Sequence, residues 1–167
     1  MNSLCIVSSY PTNEPVVRNR LVPYIRRALD EGYGVNLITP AADCLEEVID
    51  SELFRHIHVS VSTRNHSNFF RRAIVEWKNA RKLMAGFKAG KNDGVMVSIP
   101  SMFLLLAIKN KTPQERVFLD VRDITWEYLS DRSFVPCLVR KLFKMLAANK
   151  MGIFSLVAVT NATEWSY

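Results

Sequence analysis

Apolar positions along the chain change their period several times, and each change marks an element. Leu4-Cys5-Ile6-Val7 is a nearly continuous apolar run closed by Ser8-Ser9, as expected of a strand covered on both faces of a parallel sheet. After a loop with two prolines, Tyr10 to Pro15, the period lengthens. Val17, Leu21, Ile25, Ala28 and Leu29 recur at helical spacing, with Arg18, Arg20, Arg26 and Arg27 between them. Gly32 and Gly34 supply the stop and the turn, and Pro23 inside the pattern predicts a late or kinked start. A second strand follows at Val35–Thr39, closed by Pro40. A third is predicted at Ile57–Ser62, with a short helix at Leu45–Phe54 between them.

The clearest amphipathic segment comes next. Ala73, Trp77, Ala80, Met84 and Phe87 form one stripe, and Arg71, Lys78 and Lys82 lie on another face. Gly94–Val97 reads as the fourth strand, Met102–Lys109 as a helix, and Val117–Leu119 as the fifth strand, ending in Asp120. Pro136 suits the first turn of a helix running to about Lys150, with Leu138, Leu142, Met145 and Leu146 inward. Ile153–Thr160 is the sixth strand, after which another helix is due. Strands alternating with helices predict an α/β protein: a doubly wound, Rossmann-like parallel sheet with helices on both faces. No repeat, linker or low-complexity tract divides residues 1–167, so one domain is expected.

Composition narrows the setting. Apolar residues make up 49% of the chain and charged residues 23%, a globular balance. Cys5, Cys44 and Cys137 are odd in number and far apart, which suits reduced thiols in a cytosol. The first residues lack a basic leader, and no apolar stretch spans a hydrocarbon core of roughly 30 Å. A cytoplasmic protein is expected, either soluble or peripheral on the inner face of the cell membrane. The net charge of +6 favours anionic partners, though no recognition motif accompanies it to suggest nucleic acid.

In an open parallel sheet, ligands bind beyond the carboxyl ends of the strands, near the switch in strand order. That rule selects Ser9–Arg20, Ser98–Ser101, Asp120–Thr125 and Thr160–Thr163. The first loop contributes Tyr10, Pro11, Thr12 and Asn13 and leads to a helix start, where free N–H groups attract phosphate. Arg18 and Arg20 add charge-assisted donors. The loop has no glycine and is therefore no dinucleotide cradle; a plain βα turn with solvated arginines fits it equally. Asp120-Val121-Arg122-Asp123 is the densest ionisable cluster at a strand end, and alternation places Asp120 and Arg122 on one side. Such a pair suits an acceptor hydroxyl or a departing phosphate; a helix cap by Asp123 is the structural alternative. Ser98 and Ser101 flank Pro100, with Ser101 a natural N-cap. His56 and His58 lie two apart without a third ligand, so no metal is expected. The basic segment from Phe69 to Lys91 mixes aromatics with Arg71, Arg72, Lys78 and Lys82, as membrane-surface helices do; a core helix with a solvated basic face reads the same.

Taken together, Asp93-Gly94-Val95-Met96-Val97-Ser98-Ile99-Pro100-Ser101, the apolar helix after it and Val117-Phe118-Leu119-Asp120-Val121-Arg122-Asp123 resemble family 4 glycosyltransferases. The likeness is greatest to members of bacterial surface polysaccharide assembly, in which aspartate–x–arginine–aspartate is often followed by an aromatic, here Trp126. The Ser8-Ser9-Tyr10-Pro11 loop and Glu31-Gly32-Tyr33-Gly34-Val35 match in layout. The resemblance implies the N-terminal, acceptor-side half of a GT-B fold. In the complete enzyme a nucleotide-sugar-binding C-terminal domain, absent from this chain, would complete the cleft. Sugar would pass with retention from a nucleotide sugar to a glycan or lipid-linked acceptor, without cofactor or metal. It also implies that Asp120, Arg122 and Asp123 border the reaction, with Tyr10, Pro11, Thr12, Asn13, Arg18, Arg20, Ser98, Ser101 and Asn161 around the substrates. Two departures stand out. Asn13, Glu14 and Pro15 replace the paired glycines of many relatives, and the paired-glutamate motif of the second domain is missing. This chain alone is therefore expected to be inactive. The competing expectations are a flavodoxin-like nucleotide-binding module and a membrane-surface interaction module, both without catalysis.

Overall fold

Local sequence accounts for most of the elements in the computed structural model, which describes residues 3–15, 17–41, 49–62, 69–87, 94–99, 102–108, 116–121, 134–154 and 156–159. Six strands, β1 (Ser3–Ser8), β2 (Gly34–Pro40), β3 (Phe54–Val59), β4 (Gly94–Ile99), β5 (Val117–Val121) and β6 (Leu156–Val159), alternate with four helices. These are α1 (Val22–Asp30), α2 (Phe69–Ala85), α3 (Met102–Ala107) and α4 (Phe134–Met151). All five strand pairings are parallel, and the strand order is β3-β2-β1-β4-β5-β6. This is an α/β, Rossmann-like doubly wound fold. Strand order reverses between β1 and β4, which places the switch point there.

Period-two alternation divides the strand residues between two cores. Cys5, Val7, Ile38, Val95, Val97, Val117, Leu119 and Val121 pack against Ala80, Leu83 and Met84 of α2, Met102, Leu104 and Leu105 of α3, and Ala147 of α4. Ile6, Val35, Leu37 and Met96 face the other way, onto Val22 and Ile25 of α1 and onto Val17 and Leu21. The two sides are called the α2–α4 face and the α1 face.

The entry to α1 explains the proline anomaly. Val17–Leu21 forms a π-helical turn that runs directly into α1, where Pro23 occupies the first turn. Proline has no N–H and its ring crowds the carbonyl four residues back, here that of Asn19. A wider turn relieves that crowding, and π turns of this kind are frequent at functional sites. The far end closes with Gly32 at φ +79°. Its N–H bonds the Leu29 carbonyl at 2.9 Å and the Tyr33 N–H bonds the Ala28 carbonyl at 2.9 Å, a Schellman stop that glycine makes without strain.

Several expectations are corrected. The third strand starts at Phe54 rather than Ile57 and ends at Val59. It starts there because a turn closed by Phe54 N–H to the Ser51 carbonyl sets its register, pairing Phe54 with Val35. The helix expected at Leu45–Phe54 fails over 49–54, which is turn and then strand; residues 45–48 lie outside the described residues. The third correction is in α4, where Leu138, Leu142 and Met145 point outward and are 55%, 46% and 54% exposed. Ala147, with Phe143, Leu146 and Met151, packs inward instead. A small residue at 147 lets the helix approach the sheet, while Phe143 meets Phe103 edge-on at 5.7 Å. Lys150 anchors the end of α4 by donating to the Ile108 carbonyl at 3.0 Å, and burial pushes its ammonium below the usual lysine range. In α2, Trp77 is only at the margin of the core, and Leu83 is buried instead. Among the described residues no helix is long and apolar enough to cross a membrane.

Candidate functional site

Buried polar side chains are costly unless satisfied, so their distribution locates chemistry. Ser8, Thr39, His56, Ser98 and Asp120 are all buried, and by alternation all lie on the α1 face; all but His56, which sits nearer the start of β3, lie at the carboxyl ends of their strands. Ser8, Thr39, Ser98 and Asp120 also share a register, with His58 as their neighbour on β3. Ser8 pairs with Ser98, Ser98 with Asp120, Asp120 with Ala158, and Thr39 with His58. Val7 pairs with Ile38, which puts Ser8 beside Thr39 and completes one polar row across the sheet. The row crosses the switch between β1 and β4, where the strand-order rule places a ligand.

Asp120 is the charged member. It is 1% exposed, and both carboxylate oxygens are occupied. Arg20 Nη2 donates to Oδ1 at 2.5 Å, and Ser98 Oγ donates to Oδ2 at 3.2 Å. The π turn brings Arg20 here across 100 residues of chain. Its side chain remains 30% exposed, so the guanidinium spans the distance between a buried carboxylate and solvent at the crevice. Ser8 Oγ accepts from the Tyr10 N–H at 3.1 Å, which folds the first loop back over the strand end. Thr12 is buried in that loop and Pro11 half-buried, while Asn13 and Arg18 are exposed. The predicted residues Tyr10, Thr12, Arg20, Ser98 and Asp120 thus come to the same end of the sheet. Arg122, Asp123, Ser101 and Asn161 lie outside the described residues.

One side-chain step below the row on β3, His56 pairs with Leu37 and its ring lies against the Thr39 side chain. The Thr39 hydroxyl donates to the Pro40 carbonyl at 3.1 Å, so its oxygen accepts from His56 Nε2–H at 2.8 Å. That fixes the neutral tautomer and leaves Nδ1 as a buried lone pair without a partner. Desolvation, and secondarily the His58 ring 3.9 Å away, push the His56 pKa down to about 4. Among the described residues no three His, Cys, Asp or Glu side chains gather as a metal site.

Two hollows flank these features. A cleft of about 320 Å³ opens on the α2–α4 face at the carboxyl ends, lined by Ser9, Tyr10, Pro40, Val61, Arg72 and Glu76 among others. Glu76 and Asn79 belong to this wall, and sequence reasoning missed both. Glu76 accepts from Arg72 Nε at 2.8 Å, and Asn79 clamps the Ser62 backbone through both its N–H and its carbonyl. An (i, i+4) acid beside an arginine was the available signal for Glu76. A larger groove of about 500 Å³ lies at the opposite, amino ends of the strands, lined by Leu4, Tyr24, Tyr33, Met96 and Phe118. It shares no residue with the polar row, so size does not select the site. Arg71, Lys78 and Lys82 of the predicted basic face are exposed on α2, as is Arg72. No protein-family model matches the chain, and no curated protein matches it. Its chemistry is therefore read from its own residues.

Proposed function

We propose that this domain is the acceptor-side half of a family 4, GT-B nucleotide-sugar glycosyltransferase of bacterial surface polysaccharide assembly. The full enzyme transfers a sugar, with retention, from a nucleotide sugar to a lipid-linked glycan acceptor. The observation that carries the reading is the Arg20–Asp120 pair, which ties the helix entry after the first loop to the end of β5, beside the switch point between β1 and β4. With both oxygens bonded and no exposure, Asp120 acts as a positioning residue. It fixes the guanidinium of Arg20, whose exposed edge meets an anionic group of the substrate. Arginine suits that task because its charge persists at any working pH and its planar donors match phosphate oxygens. Tyr10, in the wall of the neighbouring cleft, offers a ring to a sugar face.

Saturation-transfer NMR of the 167-residue chain with short-chain prenyl-diphosphate sugars tests this. Acceptor binding is expected, weakened roughly tenfold or more by Arg20→Ala, the loss of about one charge-assisted contact. No nucleotide-sugar turnover by the chain alone is expected. Tight binding of a flavin or nicotinamide nucleotide, with no acceptor affinity, overturns the reading in favour of a nucleotide-binding module.

A further inference from the structure

At the amino ends of the strands, the α1 face is only partly covered. The crossovers after β3 send α2, α3 and α4 to the opposite face, so among the described residues α1 is the only α-helix over this one. It covers β1 and β2 and reaches Met96 of β4. Beside it runs the groove of about 500 Å³, floored by Leu4, Met96 and Phe118 and walled by Tyr24 and Tyr33. It lies on the same strands as the polar row but at their other ends.

The floor is open because position 94 is glycine. Gly94 begins β4, pairs with Leu4 and lines the groove. Glycine weakens a strand, and nothing local requires it here. Its φ is not positive, and an added Cβ would meet only Leu4 Cδ1, at 3.6 Å, an ordinary contact. The missing side chain instead enlarges the groove, and a strand glycine often marks close approach by a ligand. The rim is charged. Arg27 Nε donates to Glu31 at 2.7 Å, so that pair is neutral. Arg116 is exposed and makes no ion pair among the described residues. One net positive charge therefore stands at the edge of an apolar hollow.

We infer that this groove binds a small organic monoanion with a flat aromatic body, its ring on Leu4, Met96 and Phe118 between the two tyrosines and its acid group at Arg116. The volume falls in the range of roughly 300–1,000 Å³ usual for small-ligand sites. Phenylalanine and methionine together make a floor that adapts to an aromatic ring. A protein partner is a poor occupant. Met96 is 3% exposed, and Tyr24 and Tyr33 are the only large apolar side chains of the lining that stand at the surface. Two tyrosines fall far short of the roughly 800 Å² per partner that a stable interface buries. A polyphosphate would find one unanswered cation and an apolar floor. The inference uses no residue of the polar row and does not rest on the transferase reading.

The test is fluorescence titration of the 167-residue chain with 8-anilinonaphthalene-1-sulfonate, an aromatic monoanion that brightens on leaving water. N-phenyl-1-naphthylamine, the same ring system without the acid, is titrated in parallel. Saturable binding is expected, roughly threefold or more tighter for the sulfonate. Gly94→Leu, which fills the floor, should weaken the sulfonate roughly tenfold or more. Arg116→Gln, at an exposed position, should weaken it roughly threefold and leave the neutral amine unchanged. Leu142→Glu, on the exposed side of α4 across the sheet, should have little effect on either. Circular dichroism checks the fold of each variant; if Gly94→Leu does not fold, Arg116→Gln and Leu142→Glu decide. Equal affinity for the two dyes, sulfonate binding that ignores Arg116→Gln, or an equal loss with Leu142→Glu overturns the proposal.

Discussion

Replacing Arg20 by alanine removes the cation that holds Oδ1 of Asp120 and leaves a carboxylate 1% exposed with Ser98 as its remaining described partner. Breaking a fully buried pair from one side typically costs about 3–5 kcal/mol, because a buried charge loses its compensation. Arg20 is 30% exposed, so water already screens the pair and can enter the space the side chain leaves. We therefore expect about 2–3 kcal/mol for Arg20→Ala, a large share of the roughly 5–15 kcal/mol that holds an ordinary domain together. Asp120→Asn is expected to cost less, about 1 kcal/mol: it keeps the shape and an acceptor for Ser98, and the abandoned guanidinium can turn to solvent. The double variant should then cost little more than Asp120→Asn alone, a coupling of about 2–3 kcal/mol. Urea unfolding followed by far-ultraviolet circular dichroism at pH 7 measures all three, provided the slope of the transition is unchanged. A loss below about 0.5 kcal/mol for Arg20→Ala, within the range of ordinary surface substitutions, refutes the reasoning. Strictly additive costs in the double variant do the same.

The neutral His56 makes a pH prediction whose sign is fixed. Its folded pKa of about 4 lies below the ordinary histidine value of 6.5, so the unfolded chain takes up the proton first. Stability is complete above about pH 6.5 and falls as the pH drops toward 4, by roughly 1–2 kcal/mol between pH 7 and 5 after allowing for partial solvent relief. His56→Asn should flatten that part of the stability–pH curve, and an unchanged slope would contradict the assignment. Packing supplies a second contrast. Leu83→Ala, at a side chain 2% exposed between α2 and the sheet, should cost about 2–4 kcal/mol. Leu142→Ala, 46% exposed, should change stability by less than about 0.5 kcal/mol; comparable losses at the two sites would mean α4 packs the other way round.

Much of this protein is determined locally. The apolar run at Leu4–Val7, the helical spacing from Val17 to Leu29 and the glycine at 32 each respond to forces acting within a few residues. Side-chain alternation, helical periodicity and backbone freedom therefore place β1, α1 and its stop without reference to the rest of the chain. The alternation of those elements then leaves a right-handed, doubly wound sheet as the outcome, and strand-end position marked Ser98, Asp120 and the first loop as a site. Other features required the tertiary structure. α4 bears apolar residues on two faces, and its sequence favours neither; the narrow approach allowed by Ala147 and the edge-on packing of Phe143 turn Leu138, Leu142 and Met145 to the outside. His56 and His58 interrupt the apolar pattern of β3, so its start is set by pairing with β2 rather than by its own hydrophobicity. Strand alternation offers Arg122 as the neighbour of Asp120, yet Arg20 occupies Oδ1. Its approach depends on a π turn induced by Pro23 and on β1 and β5 lying either side of β4. Contacts across 100 residues carry no local periodicity, and only the closed sheet brings those two charges within reach of each other.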